Sequence, residues 1–149
     1  MNLALLFPPV WLLLSTISMI GLHLFLPIEQ LFSPPVTYIG IGMIAIGIIT
    51  IVFCAYSFRQ NKTAILPFKE SSHLIKKGIF KYSRNPIYLG MIAILTGVWI
   101  YLGSLTPLLI IPLFSLLIQE VFIKEEERML EDKFGEDYRQ YKATVRRWI

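Results

Sequence analysis

Two short stretches carry the side chains that could do chemistry, and both stand at the borders of apolar blocks: Arg84-Asn85-Pro86-x-Tyr88 and Glu125-Glu126-Glu127. Arginine brings a fork of N–H donors, asparagine an amide and tyrosine a hydroxyl, while carboxylates accept from an ammonium group. Together they offer donors for a carboxylate and acceptors for an amine beside an apolar wall, which suits a zwitterionic, amino-acid-like cofactor. The plainer reading takes each residue alone: the arginine snorkels, the asparagine caps, the proline starts a helix, the tyrosine belts the interface and the glutamates are solvated. Singly each of those is the better account. Acidic residues directly at a helix exit, however, add little to membrane topology and cost desolvation where they touch lipid, so the combination favours a site.

The elements that position these residues belong to a membrane protein. In a chain of 149 residues, 55% are hydrophobic and 16% charged, with a mean hydropathy of +0.62, a balance foreign to soluble domains. Its fourteen Lys and Arg fall into two blocks of seven, Arg59 to Arg84 and Lys124 to Arg147. A net charge of +4 in that pattern points to the inner face of a bilayer and away from nucleic acid as a partner. Cys54 is the single cysteine, which excludes an intrachain disulfide or a cysteine-based metal site, and no metal site is expected.

Four spans are expected, over about 3–26, 37–58, 86–102 and 106–123. The first lacks the basic leader and cleavage site of a signal peptide and reads as retained; His23 near its end reads as an interfacial polar residue, not a ligand. In the second, the Gly40-x-Gly42-x-x-x-x-Gly47 run does not match a dinucleotide loop, and its small residues are expected to let helices pack closely. The basic stretch 59–85, rich in apolar and aromatic residues, is expected to lie along the membrane surface. From Pro86 to Gln119 no charge occurs, about 51 Å as one helix and too long for one crossing, so Gly103-Ser104-Leu105-Thr106-Pro107 divides it into a hairpin. That hairpin would bring Asn85 and Glu126 to one membrane depth. In the tail 124–149, Leu130, Phe134, Tyr138, Tyr141, Val145 and Trp148 form an amphipathic stripe, with Arg146, Arg147 and Trp148 as headgroup anchors. The expected fold is a single all-α membrane domain: about four transmembrane helices plus a C-terminal amphipathic cytoplasmic helix, both termini cytoplasmic.

Thr63, Pro67, Leu74, the Gly78-x-x-x-Tyr82-Ser-Arg84-Asn85-Pro86-x-Tyr88-x-Gly90 run and the closing Glu126-Glu127-x-x-Leu130-x-x-x-Phe134-Gly135-x-x-Tyr138-x-x-Tyr141-x-x-x-Val145-x-Arg147 pattern resemble the isoprenylcysteine carboxyl methyltransferase and phospholipid methyltransferase group of integral membrane enzymes. The likeness runs from about Thr63 to Ile149. It implies an S-adenosylmethionine-dependent methyltransferase, of the kind found in the bacterial inner (plasma) membrane, acting on a lipophilic acceptor such as an isoprenylcysteine carboxylate or a phospholipid amine. By motif position it implies cofactor contacts at Ser72, His73, Leu74, Ile75, Phe80, Asn85, Pro86, Ile87, Tyr88 and Glu126. Arg84, Glu126 and Glu127 are its candidate catalytic residues: either glutamate can hold the cofactor's amine or accept a proton, and Arg84 can pair with its carboxylate or with the acceptor. Asn85 stands where the eukaryotic prenylcysteine enzymes have histidine, and Ser72, not His73, falls in register with another family histidine. Gln119-Glu120-Val-Phe-Ile-Lys124 replaces an arginine that holds their substrate carboxylate, which argues against a prenylcysteine acceptor. Two alternatives stay open, an NADPH enzyme of the sterol-reductase type and a small non-catalytic membrane subunit.

Overall fold

A computed structural model describes residues 7–62 and 73–149, and among these the regular structure is helical. In chain order the elements are α1 (Pro8–Phe25), α2 (Thr37–Gln60), a 3-10 turn (Gly78–Lys81), α3 (Pro86–Leu102), a second 3-10 turn (Thr106–Leu109), α4 (Ile110–Ile118), a π turn (Gln119–Ile123), α5 (Lys124–Phe134) and α6 (Glu136–Thr144). Prolines open α1 and α3, where the first turn lacks acceptors for their missing N–H. Gly103 closes α3 at φ 78, in the left-handed region open to glycine, and donates its N–H to the Trp99 carbonyl.

α1, α2 and the helical run Thr106–Phe134 are long and apolar enough to cross a membrane, while α3, at 17 residues, is apolar but shorter. At about 25 Å it reaches the lower limit for a crossing. All four apolar segments read from the sequence are therefore helices. The first begins at Pro8 with Phe7 extended before it, and residues 3–6 of that expected span lie outside the described residues.

Hydrogen bonds define the two ends of the bundle. At one end the α1–α2 connection meets the α3–α4 turn: Leu31 and Phe32 donate to the Gly103 carbonyl, Leu105 to Glu29, and the Thr106 hydroxyl to Leu26. His23 Nδ1, in the last turn of α1, lies 2.8 Å from Ser104 Oγ there, a cross-link between that helix and the α3–α4 turn. The opposite end gathers the start of α1, the end of α2, the chain from His73 to Asn85 and the tail. The described residues of both basic blocks thus stand at the same end.

The glycines of α2 sit where α3 comes closest. A Cβ on Gly40 would strike the backbone of Gly97 and Tyr101, and one on Gly47 the Gly90 carbonyl and Ile94; Gly90 and Gly97 meet Gly47 and Gly40 in return. The antiparallel pair touches through backbone at two levels seven residues apart, as small residues allow. Gly42 has nothing within 4 Å of its Cβ position. Gly47→Val is accordingly expected to destabilise the protein by about 1–3 kcal/mol through overpacking, and Gly42→Val by much less, with the helix-propensity change common to both. Equal thermal midpoints for the two variants in one detergent would refute this packing account.

The tail departs from the single amphipathic helix expected over 124–149. Gly135 adopts φ 52 and ψ −120, a region that residues with a Cβ avoid, and it breaks the tail into α5 and α6. Beyond Thr144 the chain is extended at Val145 (φ −122, ψ 128). Nor does α5 start afresh after the last span, since it continues α4 through the π turn. That wider turn absorbs an extra residue and keeps the four-residue steps Ile118, Phe122 and Glu126 directed inward. Arg147 and Trp148 are not headgroup anchors: Arg147 pairs with Glu127, and Trp148 packs on the core cluster with its indole N–H 3.4 Å from Gln119 Oε1.

Candidate functional site

A cavity of about 450 Å³ opens at the end that holds both basic blocks. His73, Leu74, Ile75, Phe80, Arg84, Asn85, Pro86, Ile87, Tyr88, Glu126 and Glu127 all line it. Ser72, with the rest of residues 63–72, lies outside the described residues. The stretch expected on the membrane surface therefore contributes, where it is described, to the cavity wall: Phe80 is buried in its 3-10 turn and stacks edge-on against Phe58 of α2, ring centres 5.5 Å apart.

Pro86 at the first position of α3 directs the next turn, so that Tyr88 faces α5 across the hairpin. Its hydroxyl donates to Glu126 Oε1 at 2.6 Å. The first turn of α3 and the start of α5 are thereby joined through Tyr88, while Asn85 shares the cavity wall with Glu126. The apolar part of the last crossing segment ends at Ile123, and Glu126 stands past it among charged residues. Burial pushes the Glu126 carboxyl up to about 7; the hydrogen bond from Tyr88 opposes that rise and the Glu127 carboxylate adds to it.

Glu127 is committed differently. Arg147 grips it in a two-pronged pair, Nε to Oε1 at 3.0 Å and Nη2 to Oε2 at 2.7 Å, and Arg84 Nη1 reaches Oε1 at 3.2 Å. Arg84 Nη1 also donates to the Tyr138 hydroxyl at 3.3 Å. The hydrogen bonds with Glu127 hold the Arg147 guanidinium above its usual range. Burial raises the Tyr138 and Tyr141 phenols to about 12, so both remain protonated donors at neutral pH. Tyr141 uses its proton on the Phe80 carbonyl at 2.6 Å.

The last residues strap this assembly together. Arg84 N–H donates to the Arg146 carbonyl at 3.1 Å, while the Arg147 carbonyl accepts from Asn85 Nδ2 at 3.1 Å and Ser83 Oγ at 3.3 Å. The Asn85 side chain makes no capping bond to α3, and the Ser83 hydroxyl accepts from the Asn85 N–H at 3.1 Å. The tail thus holds the segment before α3 from beneath and orients Asn85.

Several cavity residues were not anticipated as site residues. Phe7 before α1, Pro8 and Pro9 of α1, Ile51, Ala55 and Phe58 of α2, Met91 of α3 and Met129 and Leu130 of α5 make up an apolar limb, and Lys133, Tyr138 and Tyr141 add to the polar limb. Spans one and two offered only hydropathy, which does not separate a lipid-facing residue from a cavity-facing one. Arg147 and the two tyrosines did stand in the closing motif, and their spacing from Glu127 was the available signal.

A family model described as phospholipid methyltransferase matches residues 36–137. An uncharacterized protein of Haemophilus influenzae is 41% identical over 63 residues, which make up 42% of this chain and 100% of that relative.

Proposed function

This chain belongs to the phospholipid methyltransferase family, and on that premise we propose that it is an S-adenosylmethionine-dependent methyltransferase acting on a lipophilic acceptor that reaches the cavity from the bilayer. One observation carries the reading: Asn85, Pro86, Tyr88 and Glu126 wall a single cavity whose other limb is apolar. The donor and acceptor set fits the cofactor's amino-acid moiety. Glu126, bonded to the Tyr88 hydroxyl, can receive an ammonium group, and Arg84, which meets Glu127 through Nη1, can receive a carboxylate.

Bound S-adenosylmethionine supplies a methyl group already activated by its sulfonium. The protein's own part is then to hold, orient and dry the reacting pair, effects that can contribute several kcal/mol. Phe58, Phe80 and Met91 exclude water from the apolar limb and offer a surface for an acyl or prenyl chain. Phe7 and Pro9, exposed at the start of α1, line the cavity on either side of the buried Pro8 and would border the way in from the bilayer. In this reading the cavity end faces the cytoplasm, as the basic blocks there suggest.

Titration calorimetry of the purified protein in detergent tests the proposal. S-adenosylhomocysteine is expected to bind at one site and NADPH not to bind. Binding of NADPH alone would replace the methyltransferase with a reductase, and binding of neither would leave a non-catalytic subunit.

A further inference from the structure

The end of the bundle opposite the Asn85–Glu126 cavity holds a second one, also of about 450 Å³. It lies where α1 ends, α2 begins and α3 ends, and His23, Gln30, Thr37, Tyr38 and Tyr101 are among its walls. No Lys or Arg occurs in residues 21–40 or 99–112, and Glu29 is the only acid there. A phosphate or carboxylate would therefore meet no cation at this end.

The hydrogen bonds already made decide what the walls have left to offer. Ser104 is fully buried, and among the described residues its hydroxyl has His23 Nδ1 as its one partner, so it must donate there or strand its proton. The imidazole then carries its own proton on Nε2, a donor that makes no bond within the protein. Gln30 Nε2 spends its protons on the Phe32 carbonyl at 2.7 Å and the Leu102 carbonyl at 3.4 Å, which leaves Oε1 as an acceptor. Thr37 is only 7% exposed, yet its hydroxyl makes no hydrogen bond among the described residues and is not sealed inside the protein; the cavity is the space it reaches.

We propose that this cavity is a second binding site, for the uncharged, hydroxyl-bearing head group of a membrane lipid. A hydroxyl both gives and takes hydrogen bonds, as a set of one donor, one acceptor and one hydroxyl requires. A quinone or an ester only accepts and would leave Gln30 Oε1 unmet. Tyr38 and Tyr101, both exposed, add ring faces and phenol hydroxyls at the rim, and a few polar groups among aromatic walls are the usual make-up of a ligand cavity. Beside Tyr38 the exposed Ile39 and Ile41 of α2 give a tail attached to that head an apolar surface to lie on. The sugar of a glycolipid and the free glycerol hydroxyl of an acylglycerol share this chemistry. The site stands apart from the methyltransferase reading and does not depend on it.

Calorimetric titration of the full-length protein in an amine-oxide detergent, whose head carries no sugar, would use three lipids with the same dioctanoyl tails: a glucosyl glycerolipid, the diacylglycerol and the phosphatidylglycerol. One of the first two is expected to saturate a single site at least about tenfold more tightly than the phosphatidylglycerol, whose phosphate finds no cation, and the tighter of the two names the source. Thr37→Val removes a hydroxyl that no protein group uses, so it should keep the native thermal midpoint while weakening that binding about three- to tenfold, and Thr37→Ser should restore it. Phosphatidylglycerol binding as well as the uncharged lipids, or none of the three binding, overturns the proposal on the native protein alone. An unchanged affinity in a folded Thr37→Val overturns it too. S-adenosylhomocysteine binding should be the same in all three proteins, and its absence would count against the methyltransferase reading only.

Discussion

Glu127→Ala is expected to cost about 3–5 kcal/mol of stability, the range for removing one partner of a buried ion pair. Glu127 is 7% exposed and is the acceptor shared by Arg84 and Arg147, so its loss strands two guanidiniums. The larger share comes from Arg84, whose side chain is 8% exposed; the Arg147 side chain, at 29%, regains water more readily. The damage should spread, because Arg147 also carries the carbonyl that orients Asn85 and Ser83. Glu127→Gln keeps one acceptor oxygen and should lose less. Denaturant titration followed by tryptophan fluorescence, with Trp148 near the strap, measures both. A second check is the double variant Glu127→Ala/Arg147→Ala, which should cost clearly less than the two single losses added. A single-variant loss below about 1 kcal/mol would mean that the triad is solvated like an ordinary surface pair.

What could be read from the sequence tracks the range of the interaction that fixes each feature. Apolar length sets the spans, and Pro86, Gly103 and the glycines of α2 act through backbone geometry that a local stretch encodes. The convergence of Asn85 and Glu126 on one cavity end followed from counting crossings. The π turn over Gln119–Ile123 was invisible, because one residue inserted within a continuing helix leaves no mark in local composition that a reader could detect. Arg147 was misplaced for a related reason: beside Trp148 at a chain end it has the composition of a headgroup anchor. Its partner Glu127 lies twenty residues away, across a break at Gly135 that local propensity marked only as a weak helix position. Tyr138 and Tyr141 were legible as an apolar stripe, which describes their rings. Their hydroxyls, bonded to Arg84 and to the Phe80 carbonyl, belong to the site.

Glu126→Gln is expected to weaken S-adenosylhomocysteine binding by about 1.5–3 kcal/mol near pH 8, roughly ten- to hundredfold, the usual worth of a hydrogen bond to a charged group. Glutamine is a better probe than alanine, since its amide oxygen can still accept the Tyr88 hydroxyl and spare the fold an orphaned buried donor. The pH dependence identifies the charge. In the free protein burial raises the Glu126 carboxyl to about 7, and an ammonium group bound beside it must lower that value, because it favours the carboxylate. Binding below pH 7 therefore releases a proton, and affinity should fall as the pH drops through 7 towards 5, by at most tenfold per unit, while levelling off above about 7.5. The glutamine variant has no proton to release, so its affinity should be flat over the same interval and approach that of the native protein at the acid end. Asp132→Asn, at an exposed position of α5 away from the cavity, serves as the control and should follow the native profile. A native profile that does not bend, or a bend that persists in Glu126→Gln, would show that the carboxyl bonded to Tyr88 does not receive the ligand's amine.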